Sequence, residues 1–496
     1  MRSIRHALTT IALALTLGVV SAQTLTTAIG QNPPTLDPQT TFNGFSFHVT
    51  NQIYETLVRV TPDNEVVPGL ATSWDFVEPT RLRFTLRQDV TFHDGTVLDA
   101  EAVAASLQRL LDPATAAPGR FVVSAITAVE VVDAATVDVV TGQPFAPILA
   151  HLAHPVASVV PVGLADGLSR APVGTGPYRF VSWIDGSQVE LVANAAYWGG
   201  APAIERVVVR IIPEVSTQIV ELRSGGVDII FNVPPDNYLS LQNDASLVTE
   251  AIEGWGSAHL GINVAAPELA DLRVRQAIAH AIDKALITEE FLRGLAAPAV
   301  APIPGTVRFA ATDLEEPYPF DPEGARALLA EAGAEGLALR LDVYQNPDLE
   351  AVAQVLQFAL AEIGVDLTIR VQDFAAYTQA IESDDAQLYL TAWGTVTLDA
   401  DYTLYAFFHG SEIPGNNRSR YAVDAIDTLL ERGRAVADDA ERLAAYAEIQ
   451  ATVVRDLPMV TLYYPLFTYA KRPGLEGEVI AFSWINLDLR NASLSD

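Results

Sequence analysis

Two periodicities divide most of the chain. Apolar residues recur at helical spacing over 271–284, where Ala277, Ile278, Ala281 and Ile282 form one stripe and Asp271 is placed to cap the first turn. The same spacing runs through 100–111, which Asp99 caps and Asp112-Pro113 stops, and through 321–333, opened by Asp321-Pro322 and closed by Gly333. Over 349–363 Val352, Val355, Leu356, Ala359 and Leu360 share a face, and Gly364 ends the helix. Further helices are expected at 48–57, 213–224, 421–437 and 439–456. Alternation of apolar and polar residues marks 80–92 and 365–371 as half-buried strands. The β-branched run Val207–Ile212 reads as a strand buried on both faces. Other strands are expected at 25–29, 121–132, 136–141, 178–183, 188–193, 227–231, 337–343, 385–398 and 458–464. Strand–helix–strand order recurs at 207–231 and again at 337–371, which indicates an α/β protein with two such units. Ahead of the 271–284 helix lies a polar, glycine-punctuated run, Glu253–Asn263, which reads as the chain crossing from one domain into a second.

Composition narrows the class. The 496 residues carry a formal charge of −31, with Lys284 and Lys471 the only lysines. Nucleic acid and anionic membranes are therefore poor partners, since both need basic patches. Residues 1–22 read as an export signal: Arg2 and Arg5 precede a short apolar core at 11–20, and Val20-Ser-Ala22 has the small residues of a cleavage site after Ala22. A periplasmic protein is expected. With no cysteine in the chain, disulfides, thiolate metal sites and a lipid-modified N-terminal cysteine are excluded, so the expected product is not a lipoprotein.

Catalytic motifs find no support. Gly174-Thr-Gly176 is followed by Pro177 and lacks the third glycine of a dinucleotide fingerprint, and neither lysine lies in a phosphate-loop setting. There is no nucleophile elbow and no His-Glu-x-x-His zinc pattern. His151 and His154 stand three apart without a neighbouring carboxylate and read as a core or solvated pair. A binding protein without cofactor or metal is expected rather than an enzyme; an exported hydrolase and a structural or chaperone-like protein are the alternatives.

Several stretches in order resemble the large periplasmic solute-binding proteins of ABC importers, extracellular solute-binding protein family 5, whose members take peptides, nickel chelates, glutathione and opines. They are Leu36-Asp-Pro38, Ile53-Tyr-Glu-Thr-Leu57, Leu70-Ala-Thr-Ser-Trp74, Phe84-Thr-Leu-Arg87, Val90-Thr-Phe-His-Asp-Gly95, Ala100-Glu-Ala-Val103, Gly174-Thr-Gly-Pro-Tyr-Arg-Phe180, Ser224-Gly-Gly-Val-Asp228 and Leu272-Arg-Val-Arg-Gln-Ala-Ile278. The resemblance implies two α/β lobes joined by a hinge, with an additional domain inserted in the first. Lobe I would comprise 23–45, 166–255 and 468–496, the insert 46–165, and lobe II 256–467. The hinge would use Gly254, Trp255, Gly256 and Tyr464.

Ligand would then lie between the lobes, for delivery by a monomer to a membrane permease. The resemblance places Phe42, Asn43 and Phe45, and in lobe II Trp393, Gly394 and Thr395, at that cleft. Val396 stands where peptide binders of the family carry an aspartate for the α-ammonium, so Asp399 or Asp401 is the candidate for that role, with a helix cap as the alternative reading. Arg418, or Arg420 beside it, is the candidate clamp for a ligand carboxylate. A peptide-like solute (oligopeptide, dipeptide or glutathione type) is expected, with a nickel chelate, opine or oligosaccharide as the alternative. The nickel reading would need His48 or His409.

Overall fold

One strand, Met459–Lys471, belongs to two groups of strands and joins them into a 12-stranded sheet. The computed structural model describes residues 23–477, 480–481 and 486–495; the expected export signal, 1–22, lies outside them. In the first group Thr24–Ile29 pairs in parallel with Arg206–Ile211, which continues antiparallel to Gln188–Ala193 and then Tyr178–Ile184. On its other side it meets Ile229–Phe231, which runs antiparallel to Tyr469–Lys471. In the second group Ala338–Tyr344 is parallel to both Asp366–Gln372 and Leu388–Gly394. Leu388–Gly394 is antiparallel to Gly256–Ile262, and that strand pairs with the first part of Met459–Lys471. The fold is the two-lobed α/β architecture expected from the sequence.

A four-stranded antiparallel sheet stands apart, in the order Ala71–Glu78, Arg81–Leu86, Thr136–Thr141, Ile126–Asp133. The helix Ala100–Leu111, capped by Asp99, packs Val103 and Leu107 into a core with Leu82, Phe84, Val137 and Val139. The lobe II core is built from Leu260, Ile278, Leu341, Val352, Leu356 and Leu390. A further cluster, containing Trp255, Phe309, Leu404, Phe408 and Tyr446, has Phe42 and Val60 from the N-terminal side packed on it.

The helix Leu272–His280 buries Val274, Ala277 and Ile278, and Asp271 accepts from the Arg273 amide as expected. Its Arg275 is a fastener: it donates to the carbonyls of Leu269 and Ala270 at 2.9 and 2.8 Å, and of Asp456 at 2.9 Å. Those bonds tie the helix to the end of the long helix Asp439–Asp456.

Several expectations shift: the strand expected at 458–464 runs on to Lys471, the one expected at 385–398 spans Leu388–Gly394, and that expected at 80–92 spans Arg81–Leu86. The helix expected at 48–57 is instead Gly44–Thr50, because Asn43 caps the amides of Phe45 and Ser46. The strand expected from 121 starts at Ile126, after a 3-10 turn over Arg120–Val123. In Arg206–Ile211, Val208 and Arg210 remain half-exposed, and Arg210 pairs with Glu221 at 2.7 Å. One face of that strand is therefore only partly covered.

Buried histidines bear on stability, and burial also lowers His151. Burial pushes His93 down to about 4, and His154 and His259 down to about 3. In an unfolded chain each would take a proton near pH 6.5. Below that pH the unfolded state binds protons that the folded state refuses, so stability falls as pH drops. Between pH 7 and 5.5, above the range where carboxylates titrate, the loss should approach about 1.4 kcal/mol per pH unit for each histidine once below 6.5. Denaturant midpoints measured across that window should fall with pH, and less steeply in a His259→Asn variant; a flat profile would contradict this.

Candidate ligand-binding site

The two strand groups meet at a narrow neck. Val248–Glu253 pairs with Leu466–Lys471 in the first group, and Gly256–Ile262 pairs with the other end of the same strand in the second. Gly254 and Trp255 lie between. The Gly254 amide donates to Pro465 O at 3.4 Å. Trp255 stands against Phe467, ring centroids 5.9 Å apart, and over Gly394. A Cβ on Gly394 would come 1.8 Å from the Trp255 ring, so glycine is what lets the indole lie there. Gly256 lies close to the Trp393 carbonyl, where a Cβ would approach to 3.0 Å. Tyr464 OH donates to Ala301 O at 2.8 Å, on the second side of the neck.

An aromatic wall follows. Trp393 ends the strand Leu388–Gly394, stacks on Tyr402 at 5.8 Å, and donates Nε1–H to Thr403 Oγ1 at 3.0 Å. The Thr395 amide donates to the Trp255 carbonyl at 3.0 Å, and its hydroxyl pairs with that of Thr403 at 2.7 Å. From the other side Phe42 stacks on His154 at 5.3 Å and meets Phe121 at 5.2 Å, and Phe121 reaches Tyr402 at 6.5 Å. Contacts between the two sides continue with the Ala146 amide donating to Arg434 O at 2.8 Å, and Asn64 donating to Thr306 O. Of the remaining N-terminal candidates, Asn43 is spent as a helix cap and Phe45 packs on the first lobe's core.

Asp399 and Asp401 are not open to solvent. Each is about 1% exposed or less, at the start of the helix Ala400–Phe408. Asp399 caps that helix by accepting from the Asp401 amide, and pairs with the equally buried Arg442 at 2.8 Å. Asp401 accepts from Arg434 Nε at 3.0 Å and Nη2 at 2.9 Å, with Tyr446 OH at 3.3 Å. Both carboxylates are thus held by arginines of their own lobe, which leaves an incoming ammonium no exposed oxygen. Arg418 lies 3.5 Å from Glu382, and Arg420 donates to the carbonyls of Glu382 and Ser383. His48 packs edge-on to Phe231, and His409 Nδ1 pairs with Ser411. Among the described residues no group of three or more His, Cys, Asp or Glu is arranged to hold a metal ion.

The structure brings together residues the sequence did not single out. A pocket of about 100 Å³ lies on the seam, lined by Asn51, Glu55, Arg59, His154, Asp488 and Arg490 on one side and by Val396, Thr397 and Leu398 of lobe II on the other. Glu55 is buried beside it. Burial raises its pKa, against three donors that favour the anion: Trp198 Nε1 at 2.9 Å, Tyr197 OH at 2.7 Å and Thr175 Oγ1 at 2.9 Å. The motif Ile53–Leu57 marked this place without disclosing its chemistry. Arg490 lies 435 positions beyond Glu55 (490 − 55), so no local pattern links the two.

The chain matches the family described as bacterial extracellular solute-binding proteins, family 5, over residues 65–415. It is 28% identical to di/tripeptide-binding protein 2 of Pseudomonas aeruginosa, with 96% of each chain covered. It is also 28% identical to the glutathione-binding protein GsiB of Salmonella typhimurium, with 95% of each covered. Among solved structures, HbpA2 from Haemophilus parasuis matches with a TM-score of 0.89 at 28% identity, covering 95% of this chain and 100% of that one. The periplasmic binding protein DppA from Helicobacter pylori, in complex with the peptide STSA, matches with a TM-score of 0.76 at 28% identity, covering 95% and 98%.

The buried pairs carry a stability prediction. Asp399→Asn leaves Arg442 buried without a counter-charge and should cost about 3–5 kcal/mol, whereas Asp399→Leu combined with Arg442→Met should recover most of that loss. Urea denaturation of the single and double variants checks it; a single variant as stable as wild type would show the pair to be dispensable.

Proposed function

The chain belongs to the bacterial extracellular solute-binding proteins, family 5, and from that premise we propose that it captures a short peptide-like solute between its lobes and hands it to the permease of an ABC importer. The observation that carries this reading is the seam pocket, whose lining comes from both sides of the neck. A solute there touches lobe I and lobe II together, so it favours the arrangement in which they meet. Phe42 and Trp393 supply flat aromatic surface at the seam, of the kind that packs on the amide planes of a peptide, while Gly394 and Thr395 hold Trp255 beside it. The relatives named for di/tripeptides and for glutathione support the same solute class. In this reading Asp399 and Asp401 shape the wall rather than touch the solute. The protein works as a periplasmic monomer after cleavage at Ala22, without catalysis.

A thermal-shift panel tests the solute class: dialanine, trialanine, a tetrapeptide and reduced glutathione, against mannopinate, a nickel–histidine complex and maltotriose. At 100 times its dissociation constant a true ligand adds about 2.7 kcal/mol of stability, which reads as an upward shift in Tm. Stabilisation by peptides or glutathone-type thiol peptides is expected; stabilisation by a non-peptide solute alone would move the assignment to that solute. Closure itself is tested at the neck. Gly254→Pro removes the amide bonded to Pro465 O and fixes φ, so it should reduce the ligand-induced compaction seen by small-angle scattering. Unchanged compaction would place the bend elsewhere.

A further inference from the structure

The seam pocket holds an imbalance of hydrogen-bonding groups. Arg59, in the short strand Val58–Val60, is half-buried at its edge. Its Nε–H reaches Pro68 O at 3.4 Å, and among the described residues its two terminal nitrogens make no hydrogen bond or ion pair. Arg490 is engaged differently, with its Nε 2.9 and 3.1 Å from the two oxygens of Asp488. The Glu55 oxygens are already taken by Trp198, Tyr197 and Thr175. Two further groups lack partners among the described residues: Thr397 Oγ1, on a residue 2% exposed, and His154 Nε2, on one 3% exposed. The His154 tautomer follows from its surroundings. Nδ1 accepts from the Val156 amide at 3.2 Å, so in the neutral ring the hydrogen sits on Nε2, which is a donor. The unmet capacity is therefore a guanidinium fork, an imidazole N–H and a hydroxyl. Buried donors of this kind call for an acceptor.

We infer that Arg59, His154 and Thr397 form an anion subsite that takes a carboxylate of the bound solute, with Arg490 as its second positive charge. The inference rests on the peptide-like reading above and names the part of the solute that is recognised. A carboxylate offers two coplanar oxygens to the Arg59 fork and lone pairs to the imidazole and hydroxyl donors. Arg59 and His154 come from the N-terminal side of the seam and Thr397 from lobe II, so the subsite is complete only with the two in contact. In a chain of net charge −31, most of the surface repels such a group; here Arg59 and Arg490 face it, with Asp488 already gripped by Arg490 and Glu55 held by its three neutral donors.

Calorimetric titration of wild type with trialanine and reduced glutathione, each as the free acid and with its C-terminal carboxyl amidated, tests the assignment. The free acid should bind more tightly than the amide. Arg59→Gln should weaken the free acid by about 30-fold, the size of a lost charge-assisted bond, and leave the amide nearly unchanged. Arg59→Lys should restore part of the difference, and Thr397→Val should weaken the acid several-fold without affecting the amide. Circular dichroism reports whether each variant folds; if Arg59→Gln does not, the acid-to-amide ratio in Arg59→Lys and Thr397→Val decides alone. Equal binding of acid and amide by wild type, or an unchanged ratio in the variants, overturns the subsite while leaving the peptide reading intact. Binding of neither form of either probe overturns both.

Discussion

Backbone hydrogen bonding along Met459–Lys471 is the constraint on which the rest depends. Its first residues serve the strand Gly256–Ile262 and its last serve Val248–Glu253 and Ile229–Phe231. Each half is locked in register by a ladder, so neither lobe can slide along the strand without breaking several bonds. The middle is different. Pro465 has no N–H to give and residues 464–467 are only partly buried; across from residues 463–467 lie Ala296–Pro298 on one side and Ile252–Glu253 on the other, with Gly254 and Trp255 just beyond. The crossing is therefore narrow but still hydrogen-bonded, and the ladders on either side of it forbid one group of strands from sliding along the other.

The seam above that neck is lined by two kinds of interaction with opposite demands. Aromatic rings from Phe42, Phe121, Tyr402 and Trp393 bring the sides together through apolar area. Beneath them, Arg434 lies 3.3 Å from the Tyr405 ring centroid and clasps Asp401, while Arg442 clasps Asp399. These pairs are enclosed within one lobe, so the lobe presents a rigid wall whose charges are already balanced. The pocket beside it is arranged differently: its two arginines and two carboxylates come from chain segments far apart, Arg490 grips Asp488, Glu55 is held by neutral donors, and Arg59 is left without an ion pair among the described residues.

What could be read from the chain alone follows locality. Asp99, Asp271 and Asp321 cap helices as expected, and Gly333 and Gly364 adopt the positive φ that ends or follows them, since each of these depends on neighbours a few residues away. Asp399 and Asp401 carried two readings because their own neighbourhood allows both a cap and a ligand contact. The arginines that occupy them arrive 43 and 33 residues later, on helices whose sequence gives no sign of where they will dock. His151 and His154 were visible as a pair, yet their partners, Val122 O and the Phe42 ring, come from other segments. Arg59 drew no notice because a single arginine after an apolar run looks like surface; its significance comes from the company it keeps at Asp488 and Thr397.

The shared strand also sets an order of assembly. The second strand group lies between residues 256 and 465, so it can be completed while the chain's last 31 residues (496 − 465) are still absent. The first group cannot: Ile229–Phe231 and Val248–Glu253 both wait for residues 466–471, more than two hundred positions after the first of them. For a chain delivered from its N-terminus, the lobe that begins first finishes last. The seam pocket, lined in part by Asp488 and Arg490, therefore comes into being only with the final segment, and a product truncated before it lacks that lining, however well its second half folds.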